Sequence, residues 1–129
     1  MNEHAAAYMG KARDAARLAR LALDEGVLDG AVSRAYYAAF YAATAALLVA
    51  GEAPRTHKGV HHRFRLLYVK SGRVPEAIGT LLPYASDMRQ KADYDALTVF
   101  EARAVADLIA DVERFLAAVE PLLTDNPNP

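Results

Sequence analysis

Apolar positions in this chain recur at helical spacing. Leu108, Ile109, Val112, Phe115, Leu116 and Val119 follow one another at threes and fours, as do Phe64, Leu67 and Tyr68. Such spacing lines one stripe of a helix that turns once in about 3.6 residues. No stretch alternates apolar and polar residues as a half-buried strand would. The breakers then divide the chain. A first helix is expected over Glu3–Glu25, stopping at Gly26, and a second from near Asp29, a candidate N-cap, to about Ala50 ahead of Gly51. Pro54 marks a loop, Thr56 can cap a third helix, and Ser71–Gly72 ends it. Pro75 opens a fourth helix at the first-turn position proline favours, and Pro83 inside it predicts a kink or a short split-off turn. Thr98 with Glu101 three residues on reads as the capping box of a fifth helix that ends around Pro121. Short connections between long helices imply antiparallel neighbours. The expected fold is therefore all-α, an up-and-down four-helix bundle with an additional helix. It forms a single domain over residues 3–123, followed by a disordered tail at 124–129.

Composition agrees with this pattern. The chain's 129 residues suffice for one domain with its own core, and 28 of them are alanine against 7 glycines and 6 prolines. There is no cysteine, which excludes a disulfide scaffold, a thiolate zinc site and a cysteine nucleophile. The segment Ala31–Ala50 has Arg34 as its only charge, but its alanines give little drive into lipid and Ser33, Tyr36, Tyr37, Tyr41 and Thr44 add polar atoms. A helix buried in a bundle fits it better than a membrane span. Met1–Tyr8 lacks the pattern of a secretory signal, so the expected compartment is the cytoplasm. The alanines of this segment would let another helix approach closely, within the chain or across a dimer.

A net charge of −1 conceals an uneven distribution. Arg55, Lys58, Arg63, Arg65, Lys70 and Arg73 lie between Glu52 and Glu76 with no acid among them, alongside His57, His61 and His62. From residue 86 onward, nine acids face four bases. Arg13, Arg17 and Arg20 form a second basic stripe on the first helix. Such surfaces suit phosphates of RNA or nucleotide, or else are solvated or paired with the acidic last helix.

Candidate chemistry gathers where the third helix starts and the fourth ends. Antiparallel packing of these two brings Thr56, His57 and Lys58 near Arg89, Lys91, Asp93 and Tyr94. Arg89 would clamp a phosphate, with His57 and Tyr94 as proton-transfer groups. The second helix would start at the opposite end, leaving Ser33 and Arg34 about 25–30 Å away at ~1.5 Å per residue. His57 and His61 are four apart on one face, a workable metal pair that lacks a third ligand, so no metal is expected. Tyr36, Tyr37, Phe40 and Tyr41 read as core packing before base stacking. Gly10-Lys11 lacks the rest of a phosphate loop.

Three segments, SRAYYAAFYAATAALL (Ser33–Leu48), THKGV (Thr56–Val60) and RQKADY (Arg89–Tyr94), taken in this order and spacing, resemble the HEPN domain, specifically its small stand-alone members. The resemblance covers residues 5–120. It implies a helical bundle that forms a homodimer with a groove at the interface. Many such proteins are metal-independent endoribonucleases, often toxins encoded beside a minimal nucleotidyltransferase antitoxin. Their motif is an arginine, a polar residue, and a histidine after four to six intervening positions. The arginine stabilises the phosphate and the histidine assists attack by the RNA 2′-hydroxyl. Here Arg89 matches the arginine and Gln90 the polar residue, whereas Tyr94 stands where the histidine would be and no histidine follows. The tyrosine that accepts AMP in nucleotidyltransferase-paired toxins would fall at Ala96.

Two functions follow from this departure. One is an RNA-directed toxin-module component, with Arg89 as phosphate clamp, Tyr94 or His57 assisting, and Gln90, Lys58, Lys91, Arg55 and Arg63 holding RNA. The other is a non-catalytic homodimer that binds nucleotide or RNA, or docks a partner. Neither requires a cofactor or a membrane.

Overall fold

A computed structural model describes residues 2–124, and every regular element among them is helical. Helix α1 spans Glu3–Asp24, α2 Leu28–Val49, α3 His57–Phe64, α4 Glu76–Gly79, α5 Leu81–Tyr94 and α6 Ala102–Val119. A π-helical turn, Arg65–Val69, prolongs α3, and a 3₁₀ turn, Glu120–Leu123, follows α6. Residues 125–129 of the expected tail lie outside the described residues.

The ends of the helices obey local chemistry. The Asn2 side chain accepts hydrogen bonds from the backbone N–H groups of His4 and Ala5 at the start of α1. Gly26 and Gly51 close α1 and α2 with φ of +78° and +81°, a conformation that costs glycine nothing. Thr56 caps α3 by accepting from Gly59 N–H at 2.9 Å. Pro83 sits in the first turn of α5, and α4 is the short turn split off ahead of it. Two expected caps are corrected. Val27, without a side-chain cap, precedes α2, so Asp29 lies inside the first turn, where its charge still suits the helix dipole. Thr98 donates to Asp95 at 2.7 Å in a turn of the preceding loop, and Glu101 precedes α6 without a side-chain bond.

Helix α2 is the centre of the molecule. Eight of its alanines are fully buried, including Ala35, Ala38, Ala42 and Ala45. The buried face of α1, from Ala5 through Met9, Ala12 and Ala16 to Ala19, packs on it within the same chain. Small side chains on both sides let the two backbones approach closely, so backbone fills space that side chains fill elsewhere. Val105, Leu108, Ile109, Val112, Phe115, Leu116 and Val119, the stripe read from the sequence plus Val105, form the buried face of α6. No helix among the described residues is long and apolar enough to cross a membrane.

One connection determines where the candidate residues meet. After α2, the chain from Gly51 to Thr56 doubles back before α3 begins. His57 lies against Tyr36 and Phe40, and Tyr68 donates to the Ala46 carbonyl at 2.6 Å. Partners on α2 therefore advance as α3 advances, and the two helices run in the same sense. A connection of six residues can reach about 20 Å, equal to roughly a dozen residues of helical rise. Helix α5 runs the opposite way, with Arg89 over Tyr36 and Asp93 against Ser33. The starts of α2 and α3 and the end of α5 therefore share one end of the molecule.

Candidate active site

The site is built from two helical pairs that face each other. Tyr36 and Phe40 are four apart on α2, and His57 and His61 four apart on α3, so each pair lies on one helix face. The buried Tyr36 hydroxyl lies 2.8 Å from His57 Nδ1 and 3.0 Å from His61 Nε2. The His57 ring stacks on Phe40, with centroids 4.1 Å apart and 19° between planes. From α5, the Arg89 guanidinium lies 5.0 Å from the Tyr36 ring centre and 5.8 Å from that of Tyr37. Arg89 Nη1 donates to Asp93 Oδ2 at 3.1 Å, and Ser33 Oγ donates to Asp93 Oδ1 at 2.5 Å. Arg34 covers the Tyr37 ring at 5.0 Å.

The Arg89 side chain is 13% exposed, and its buried Nε has no hydrogen-bond partner. Burial opposes its charge, but Tyr37, Tyr94, Tyr36 and Asp93 outweigh that and raise its pKa above the ordinary arginine value. Burial pushes Tyr36 up to about 12, with Arg89 pulling the other way. Burial, then the Arg89 charge, lowers the His57 pKa. For His61 the lowering comes from burial, then His57, then Arg89, against a small opposing pull from Asp87. Both imidazoles are therefore neutral at pH 7, beside a fixed cation. A neutral imidazole accepts a proton, and the terminal nitrogens of a guanidinium can donate to an anion. The arrangement has the parts for gripping a phosphate and removing a nearby proton.

The sequence-predicted residues separate into groups. His57, Arg89 and Tyr94 come to one end of the molecule, with Tyr94 79% exposed. Gln90 and Lys91 line a shallow hollow with Asp87, Tyr94 and Asp95. Lys58 lies along a groove between α3 and α5 that His61 also lines, with His62, Arg65, Leu82 and Pro83. Arg55 is exposed in the loop before α3. Arg63 is forked onto Glu52 at 2.6 and 2.9 Å, and Arg65 pairs with Glu76 at 2.9 Å. The arginines of α1 meet acids: Arg13 pairs with Glu120, Arg17 with Asp14, and Arg20 with Glu113.

Ser33 and Arg34 overturn an expectation, because they stand in the site and not at the far end of the molecule. The doubled-back loop is the reason. The Tyr36 hydroxyl, His61 and Asp93 are the site members that sequence reasoning left in lesser roles. Their signal was the matched four-residue spacing of Tyr36/Phe40 and His57/His61. The two histidines converge on a hydroxyl, and no group of three His, Asp or Glu side chains converges among the described residues.

Comparison with known proteins gives a consistent picture. Residues 5–122 match the family model described as the HEPN domain. A "UPF0332 protein" of Thermotoga maritima is 37% identical over 115 residues, covering 89% of this chain and 87% of the relative. A Methanocaldococcus jannaschii protein named "Putative toxin" is 33% identical over 109 residues, covering 83% of this chain and 79% of its own length. A "UPF0332 protein" of Gloeobacter violaceus is 34% identical over 109 residues, covering 84% and 86%.

Proposed function

The chain belongs to the HEPN domain family, and from that premise we propose that it is a toxin-like protein acting on RNA in the cytoplasm. In this reading it works as a homodimer and is partnered by a minimal nucleotidyltransferase antitoxin. The toxin names carried by two of its relatives support that context. The reaction is metal-independent cleavage of a phosphodiester. Arg89 donates to a non-bridging phosphate oxygen, a contact that strengthens as charge builds there. His57 Nε2 removes the proton of the 2′-hydroxyl. The 2′ oxygen then bonds to phosphorus as the bond to the 5′ oxygen breaks, and that oxygen takes a proton from water. Tyr94, exposed beside Arg89, donates a hydrogen bond to the phosphate.

A single observation carries this reading: an exposed imidazole, His57, hydrogen-bonded through Nδ1 to a tyrosine whose ring lies under the Arg89 guanidinium. An imidazole from α3 thereby stands in for the histidine that the end of α5 lacks. A second reading, binding without turnover, is favoured by Asp93, whose carboxylate already occupies Arg89 Nη1 and competes with phosphate. The test is cleavage of a mixed RNA pool in EDTA by the wild type, Arg89→Ala and His57→Ala. Cleavage by the wild type that disappears in both variants supports the ribonuclease. Salt-sensitive RNA binding without cleavage, weakened in Arg89→Ala, supports the binding module. Absence of both activities overturns the role of Arg89.

A further inference from the structure

The Tyr36 hydroxyl has one proton to give and two lone pairs. It is fully buried, with two ring nitrogens in hydrogen-bond reach, His57 Nδ1 at 2.8 Å and His61 Nε2 at 3.0 Å, while the Ser86 side chain of α5 acts on it as a donor that the second lone pair can take. A neutral imidazole carries a hydrogen on one nitrogen and a lone pair on the other. The hydroxyl can therefore donate to only one histidine and must accept from the other. Two arrangements satisfy all three groups. In the first, Tyr36 donates to His61, and His57 donates Nδ1–H to Tyr36, which leaves a lone pair on His57 Nε2. In the second, Tyr36 donates to His57 Nδ1, and His57 Nε2 carries the hydrogen. Only the first makes His57 a base.

We propose that Tyr36 is a positioning residue that gives its proton to His61 and thereby holds His57 in the tautomer with an open Nε2. The inference rests on the reading of His57 as the imidazole of the site and deepens it. The base role selects the first arrangement: with the open lone pair on His57 Nε2, Nδ1 carries the hydrogen and donates to Tyr36, whose own proton then goes to His61. Tyr36 and Tyr37 face the histidines from α2. From α5, the Arg89 cation disfavours a second positive charge on either ring. Asp87, also on α5, is the one carboxylate whose charge acts on His61. The order is then His61, Tyr36, His57, with each hydrogen directed toward His61 and the lone pair at the exposed end. His57 is ring-stacked on Phe40, so its orientation is fixed independently of its proton.

The test uses the full chain labelled with ¹⁵N-histidine at neutral pH, because protonated and unprotonated ring nitrogens have well-separated shifts. The wild type is expected to show His57 protonated on Nδ1 and bare on Nε2. His61→Phe removes the acceptor without touching Tyr36 or His57. Tyr36 must then donate to His57, and the tautomer of His57 is expected to reverse. Tyr36→Phe retains the ring and its packing and is expected to release His57 into a mixture of tautomers. In RNA cleavage, His61→Phe should lower kcat by about a hundredfold or more, the contribution of a positioned base, with KM unchanged. A wild-type His57 protonated on Nε2, or one unaltered in His61→Phe, overturns the proposal. The nitrogen shifts need no RNA, so a wild type that cleaves nothing counts against the ribonuclease reading alone.

Discussion

Arginines are offered to a neighbouring helix in two regions of this molecule, with different results. Along the seam between α1 and α6, Arg13 meets Glu120 and Arg20 meets Glu113. These pairs are about half exposed, and such pairs contribute between nothing and about 1 kcal/mol. At the other region, Arg89 is packed on two tyrosine rings, shares its charge with a single carboxylate, and retains an unsatisfied nitrogen. The first region places guanidinium beside carboxylate, and water does the rest. The second withholds water from the cation and leaves donor capacity unused. What surrounds a basic residue decides its use, which is why a run of charges along the sequence points to α3 while the most enclosed guanidinium of the candidate site stands on α5.

The sharpest way to break this comparison is to remove one arginine from each region. Arg89→Ala should lower RNA cleavage by about 10²–10³-fold, the loss typical of one oxyanion donor. Next, Tyr68→Phe separates a structural hydroxyl from the Tyr36 hydroxyl. It removes the buried bond to the Ala46 carbonyl and should cost about 1 kcal/mol in urea unfolding with no change in RNA affinity. Acidification tests the electrostatics of the site. His57 and His61 are held below their ordinary pKa, so the unfolded chain takes up protons that the folded chain refuses. Stability should therefore be full above about pH 6.5 and fall as pH drops below it toward the folded-state values. Melting temperatures measured from pH 8 to 5 should show this fall, and Arg89→Ala should reduce it by removing a repelling cation. The smallest effect belongs to the seam. Arg20→Ala should change stability by less than about 1 kcal/mol, diminish further in high salt, and leave RNA activity unaltered.

The fold was largely legible because its punctuation is local. Gly26, Gly51 and Gly72 adopt positive φ where helices were expected to stop, and Thr56 caps the helix it was expected to cap. The misread caps at Asp29 and Thr98 show the limit of such signals. A residue able to cap was present, but Asp29 falls inside the helix and Thr98 is taken up by Asp95. The site was legible in its parts, Arg89 and His57, but not in its assembly. Ser33 was placed far away because local pattern encodes where a helix ends and not how far a loop returns along it. Tyr36 was read as core. It is buried, yet its hydroxyl joins two histidines, and spacing alone cannot distinguish a ring that only packs from one that also bonds.

The doubled-back loop before α3 also bears on how the molecule comes together in time. Helices α1 and α2 are joined by a tight turn and can zip as neighbours. The site, in contrast, needs residues near 36, 57 and 89 to meet, which closes two long stretches of chain before any bond among them is made. Contacts between segments so far apart form late and slowly. The same topology governs opening. The Tyr36 hydroxyl is covered by α3, whereas the alanine seam lies between α1 and α2, so opening the site and opening the seam involve different pairs of elements.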